Sequence, residues 1–155
     1  MNVVIALDGS LNSRHALDFA SQLLAGREAS VLLLHIIPEH VIYGKAGAAP
    51  AEVYDMPKER AASMELLDQS ARRLAEMDIG PAIEKQVGVG DPADLILTAA
   101  TDRNADLIVL GSRGLNTAQR FLIGSVSTKV STHARCAVLV VHPRASEQTR
   151  ASQRR

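Results

Sequence analysis

Residues 106–125 read DLIVLGSRGLNTAQRFLIGS. The first five end in a run of Leu, Ile, Val and Leu with no polar alternation. That suits a strand buried on both faces, as in a parallel sheet. The chain leaves this run through Gly111, takes a second glycine at Gly114 and a third at Gly124, and closes on Ser125. Glycine weakens regular structure and is favoured where φ must be positive or where another group approaches the backbone. The spacing predicts that Gly111 turns the chain off the strand and that Gly114 leaves its backbone N–H uncovered. Gly124 and Ser125 then open a helix, with Ser125 as its cap. Free N–H groups and the helix dipole at such a terminus favour an anion. The segment reads as a cradle whose two ends grip one phosphate chain. The alternative is a long strand-to-helix loop that uses its glycines only for turns.

Outward from this stretch, four more apolar runs stand out: VVIAL (3–7), SVLLLHII (30–37), AIEKQVGV (82–89) and AVLVV (137–141). The run 82–89 is polar and alternating, which predicts an edge strand. Helical patterns separate the runs. Ala16, Leu17, Ala20, Leu23 and Leu24 form one face, ended near Gly26, and Met64, Leu67, Ala71 and Leu74 form the face of a helix over 57–77. Asp91 and Pro92 mark a helix start, and Val126 and Val130 share one side of the last helix. Strands alternating with helices predict an α/β fold, a doubly wound open parallel sheet of five strands in the order 3-2-1-4-5 with helices on both faces. Residues 1–144 are expected to form one domain and 145–155 a disordered polar tail; 38–56 reads as a mobile loop.

In open α/β sheets ligands bind beyond the carboxyl ends of the strands, where strand order reverses. Here that is between the first strand, ending in ALDGS (6–10), and the fourth, ending in LGSRG (110–114). Asp8 therefore meets the glycine segment. It reads either as a ligand contact or as half of a turn-forming Asp-Gly pair. Arg113 and Arg120 lie within the segment, where they would neutralise phosphate or simply be solvated.

The totals exclude several classes. Seventeen basic and seventeen acidic residues give no net charge, which argues against a nucleic-acid or membrane-surface binder. With two Phe, two Tyr and no Trp, the core must be aliphatic. One cysteine, Cys136, rules out an intrachain disulfide and fits a reducing cytoplasm. No signal peptide or membrane helix is read. The five histidines show no metal-ligand spacing, so no metal site is expected, and His35 reads as a structural hydrogen-bonding group. The match of GVGDPA (88–93) to a dinucleotide fingerprint lacks the acid required about 20 residues on, and reads as a turn plus helix cap. No GxxxxGK[ST] or GxSxG occurs.

The glycine segment, GSRGLNTAQRFLIGSVS (111–127), fits the pattern G-x2-G-x9-G-S without a gap, and so resembles the nucleotide-binding motif of the universal stress protein family. VVIALDGS, VLLLHIIP, GDPADLIL, ADLIVLGSRG and VLVVHP resemble the family's other landmarks, in order, over residues 2–143. Departures fall at Ala137, where many relatives carry Pro, and at Ala6, where some do. The resemblance implies the 3-2-1-4-5 fold, dimers, and the ATP-binding subgroup. It implies that Ala6, Leu7 and Ile36 frame adenine with Leu110 lining it, and that Asp8 lies by the adenosine. Gly111, Arg113 and Gly114 would hold ribose and the first phosphates, and Gly124, Ser125, Val126 and Ser127 the remaining phosphates. Magnesium or manganese would arrive with the triphosphate. No catalytic residue is assigned. The expectation is a small ATP-binding regulatory module in the cytoplasm, with a regulatory protein partner. A homodimer would form through the edge strand 137–141. AMP and cyclic AMP stay open as ligands, and the alternative function is a slow ATPase or a phosphoryl or nucleotidyl transferase using the same site.

Overall fold

The computed structural model describes residues 1–39, 55–76, 82–114 and 123–142. The chain runs β1 (Asn2–Ala6), α1 (Leu11–Leu24), β2 (Ser30–Ile37), α2 (Met56–Ala75), β3 (Ala82–Val89), α3 (Pro92–Asp102), β4 (Leu107–Gly111), α4 (Ser125–His133) and β5 (Ala137–Val141). The sheet order is β3-β2-β1-β4-β5, and every pairing is parallel. This is the expected doubly wound sheet. Most of the loop read over 38–56, Arg120 and the 145–155 tail lie outside the described residues.

The unbroken Val/Ile/Leu runs follow from burial on both faces. Successive side chains point to opposite sides of a strand. Val3, Ile5 and Leu7 of the first strand, Val31 and Leu33 of β2, and Val109 of β4 pack with Ala16, Leu17, Ala20 and Leu24 of α1 and Leu67 and Leu74 of α2. Val4, Leu32, Leu34, Ile36, Ile108 and Leu110 form the other layer with Ala93, Ile96, Ala99 and Ala100 of α3 and Val130 of α4. β3 has few such residues because it is an edge: Glu84, Lys85 and Gln86 are exposed. Register aligns Ala6 with Leu34 on one side and Leu110 on the other, and Leu110 with Val140. The carboxyl ends of β1 and β4 therefore finish within one residue of each other, while β2 runs on to Ile37.

Helix starts are built by side chains. The Asp55 carboxylate accepts the Lys58 N–H at 3.1 Å ahead of Pro57 in the first turn, so α2 begins at Met56, inside the stretch read as loop. The Asp91 carboxylate accepts the Asp94 N–H at 3.0 Å, as its position before Pro92 predicts. Gly90, at φ +145°, makes the turn before this cap, so GVGDPA serves as turn and cap. On the last helix the sequence misleads. The N-cap of α4 is Gly124, with extended backbone, and Ser125 is the first helical residue.

Candidate functional site

The site is assembled where β1 and β4 end side by side. Beyond β1 the Leu7 N–H still donates to the Leu34 carbonyl at 2.9 Å. Gly9, at φ +79°, then turns the chain into α1. The Asp8 Oδ1 accepts the Ser10 N–H at 3.0 Å, and Ser10 Oγ caps α1 by accepting the Ser13 N–H at 3.1 Å. One carboxylate oxygen of Asp8 thus holds the turn, and the other, Oδ2, faces Gly114. A Cβ placed on Gly114 would lie 2.7 Å from it.

β4 reaches this turn at Gly111. A Cβ there would lie 2.7 Å from the Asn12 carbonyl carbon and 2.9 Å from the Asn12 oxygen. Neither Gly111, Gly114 nor Gly124 has a positive φ. The reading of Gly111 as a turn residue is therefore corrected: its small size lets the first turn of α1 sit against the strand tip. The Arg113 carbonyl accepts the Asn12 Nδ2–H at 3.2 Å and is 3.5 Å from the Ser10 hydroxyl. These bonds tie the end of β4 to the start of α1.

The far end of the glycine segment returns to the same place. The Gly124 N–H donates to the Ser112 carbonyl at 2.7 Å. Ser127 Oγ, buried, is 3.1 Å from the Ser112 carbonyl oxygen and 2.9 Å from that of Gly124, so its one proton serves these acceptors. Gly124 has no side chain with which to cap α4, and the helix begins without a cap hydrogen bond from it. The N-terminal N–H groups and the positive end of the dipole thus stand beside the β1–β4 crevice. One turn into α4, Lys129 Nζ pairs with Asp94 at 2.7 Å and Asp91 at 3.3 Å on α3. The Asp94 backbone N–H holds the Asp91 carboxyl below its usual range, against the opposing effect of burial and with help from Lys129.

A family model described as the universal stress protein family matches residues 1–142. This chain belongs to that family. Universal stress protein YxiE of Bacillus subtilis is 32% identical over 145 residues, covering 90% of this chain and 97% of the relative. Universal stress protein UspA from Lactobacillus plantarum is 25% identical with a TM-score of 0.75, covering 91% of this chain and 97% of that one. A universal stress protein solved in complex with cAMP is 27% identical with a TM-score of 0.68, covering 92% and 96%.

Within this universal stress protein fold, Ala6, Ile36, Leu110 and Val126 belong to or pack against the α3/α4 layer. That is the side on which α4 opens. Leu7 does not join them. Its side chain belongs to the opposite layer, and its carbonyl accepts the His35 Nδ1–H at 2.7 Å, the structural role read for that histidine. Ser125 is exposed at the helix start, and Arg113 is half-buried. Ser127 is brought near, but its hydroxyl faces the protein carbonyls that it bonds. Cys136 packs against the α3/α4 layer, and burial, aided by Asp106, pushes its thiol up, as suits an inert packing residue. Among the described residues no group of three or more His, Cys, Asp or Glu converges to hold a metal ion, and no helix is long and apolar enough to cross a membrane. The sequence reading missed Asn12 and Ser112. Asn12 carries no local signal; Ser112 lay inside the glycine motif as one of its unspecified positions.

Proposed function

We propose that this chain binds an adenine nucleotide in the crevice between the tips of β1 and β4, with ATP as the ligand and magnesium or manganese carried by its phosphates. The observation that carries the reading is the closure of the glycine segment on itself. The Gly124 N–H bond to the Ser112 carbonyl holds the start of α4 against the residues that follow β4, the same short stretch in which Gly114 meets Asp8. An anion there would meet the backbone N–H groups of a helix N-terminus and a favourable dipole. The family relative solved with cAMP supports an adenine nucleotide. In this reading Ile36 and Leu110 supply the apolar wall for adenine, with the backbone at Ala6 and Leu7 framing it. Asp8 accepts hydrogen bonds from the adenosine. Gly114 and the N–H groups of Ser125 and Val126 take the phosphates, and Arg113 adds charge.

The protein would act in the cytoplasm as a regulatory module whose nucleotide occupancy a partner protein reads, and as a homodimer. Support for the dimer comes from the contrast between the two sheet edges. β3 is guarded by charge: Lys85 pairs with Asp68 at 2.5 Å, and Glu84 pairs with Arg103. β5 (Ala137–Val141) carries no charged residue and its last four side chains are only half-buried. Such an edge is a template for strand pairing with a second copy.

The test is to purify the protein without added nucleotide, denature it, and identify what is released by chromatography and mass spectrometry. Stoichiometric adenine nucleotide is expected. The reading fails if nothing is released and the protein shows no thermal shift with ATP, AMP or cAMP.

A further inference from the structure

Ser112 is 1% exposed, and its hydroxyl has no hydrogen-bond partner among the described residues. Its backbone, by contrast, is fully used. The N–H donates to the Val141 carbonyl at 2.9 Å, and the carbonyl accepts the Gly124 N–H at 2.7 Å with Ser127 Oγ at 3.1 Å. A buried hydroxyl without a partner is unfavourable, and in native structures it calls for a specific explanation. Strand alternation fixes the side on which it lies. Leu110 packs into the α3/α4 layer, and a Cβ on Gly111 would run into α1 on the opposite layer. The Ser112 bond to Val141 continues the β4–β5 ladder, so its side chain returns to the α3/α4 side. The unpaired hydroxyl and the open N-terminus of α4 thus share one side of one strand tip.

We propose that Ser112 Oγ is a binding group of this site, donating its proton to a phosphate oxygen of a nucleoside phosphate seated at the start of α4. The proposal rests on the nucleotide reading above. A serine hydroxyl has one proton to give, and among the described residues no acceptor takes it. A phosphate oxygen is an anionic acceptor, and the bond to it is charge-assisted. The hydroxyl reorients among staggered positions without moving the locked backbone. An apolar ligand at this point would leave the hydroxyl as unsatisfied as it is now, and an adenine ring could offer it only a neutral nitrogen acceptor, without the charge assistance of a phosphate oxygen.

The test variant is Ser112→Ala, which removes the hydroxyl and breaks no hydrogen bond that it makes. Free Ser112→Ala protein is expected to melt at or above the wild-type temperature. Its affinity for ATP–magnesium and for AMP, measured by titration calorimetry, is expected to fall about tenfold, the loss for one hydrogen bond to a charged group. Affinity for adenosine is expected to stay at the wild-type value. Wild-type affinity of Ser112→Ala for ATP and AMP overturns the proposal and leaves the nucleotide site standing. An equal loss for adenosine overturns it too, because the hydroxyl then does not face phosphate. If wild type itself binds none of ATP, AMP or cAMP, the nucleotide reading falls and this proposal with it.

Discussion

Adding one methyl group at Gly111 and, separately, at Gly114 separates what holds the fold from what serves the ligand. In Gly111→Ala the new Cβ would sit 2.7 Å from the Asn12 carbonyl carbon and 2.9 Å from both Asn12 Cβ and Asn12 oxygen. Carbon atoms in contact prefer roughly 3.5–4.0 Å, so each approach is too close by about 1 Å. The obstructing atoms are mostly backbone. Ser10 and its bonds to Ser13 and Arg14 fix α1 there, and β4 is fixed by β1 and β5 on either side. Overpacking costs about 1–3 kcal/mol, and rigid backbone on both sides puts this case near about 3 kcal/mol. At about 2–4 °C per kcal/mol for a chain of this size, the melting temperature should fall by roughly 6–12 °C. In Gly114→Ala the clash at 2.7 Å is with Asp8 Oδ2 alone, and the next atom is at 3.9 Å. The carboxylate can swing away, but its other oxygen then loses or strains the bond to the Ser10 N–H, about 1 kcal/mol, or roughly 2–4 °C. Nucleotide at a hundredfold excess over its dissociation constant stabilises the folded state by about 2.7 kcal/mol, or roughly 5–11 °C here. Nucleotide-stripped protein should therefore show three patterns in thermal melts with and without ATP–magnesium. Wild type shifts fully, Gly114→Ala folds but loses most of its shift, and Gly111→Ala starts much lower. A Gly111→Ala melt within a degree of wild type would refute the close packing of α1 on the strand tip. A full ATP shift in Gly114→Ala would refute the placement of phosphate at Gly114.

Other expectations follow from the same contacts. The lowered pKa of Asp91 means that its capping contribution is present above the ordinary Asp range and is lost as pH falls through its lower folded value. Asp91→Ala should cost about 1 kcal/mol in urea unfolding at neutral pH, and the difference from wild type should shrink towards about pH 2; a pH-independent difference counts against the charged cap. Ser127→Ala removes a buried proton donor to the Ser112 and Gly124 carbonyls and should lower the melting temperature by roughly 2–4 °C while keeping most of the ATP shift. Val140→Lys on the uncharged edge should give monomer or insoluble protein in light scattering, and a wild type that is monomeric at micromolar concentration would end the edge-pairing proposal.

The fold was legible because burial on both faces leaves a plain mark on composition. The runs around Val3–Ile5, 31–34 and 107–110 are apolar because helices cover the sheet on either side, and the polar run at 84–86 marks β3 as an edge. Helix starts were legible where the cap is local, as at Asp91 with Pro92. They were misread at Ser125, because the decisive bond is tertiary. Once the Gly124 N–H is held by the Ser112 carbonyl, the chain stays extended at Gly124 and Ser125 is carried into the first turn, whatever its preference as a cap.

The site was legible as a pattern of glycines but not as a division of labour among them. Gly9, which the sequence pairs with Asp8 as a turn, is the one near the site that needs a positive φ. Gly111 answers to Asn12, far away in sequence, and Gly114 answers to the Oδ2 of Asp8. All three are the same letter, and only the neighbour that a side chain would strike tells them apart. The same limit hid Ser112. Serine in a loop is ordinarily satisfied by solvent or by nearby backbone. Its hydroxyl becomes conspicuous only when Val141, Gly124 and Ser127 are seen to occupy the backbone on every side and leave that one group unpaired. A glycine-rich motif therefore points to a crevice, whereas the polar group that reaches into it emerges only from the accounting of buried hydrogen bonds.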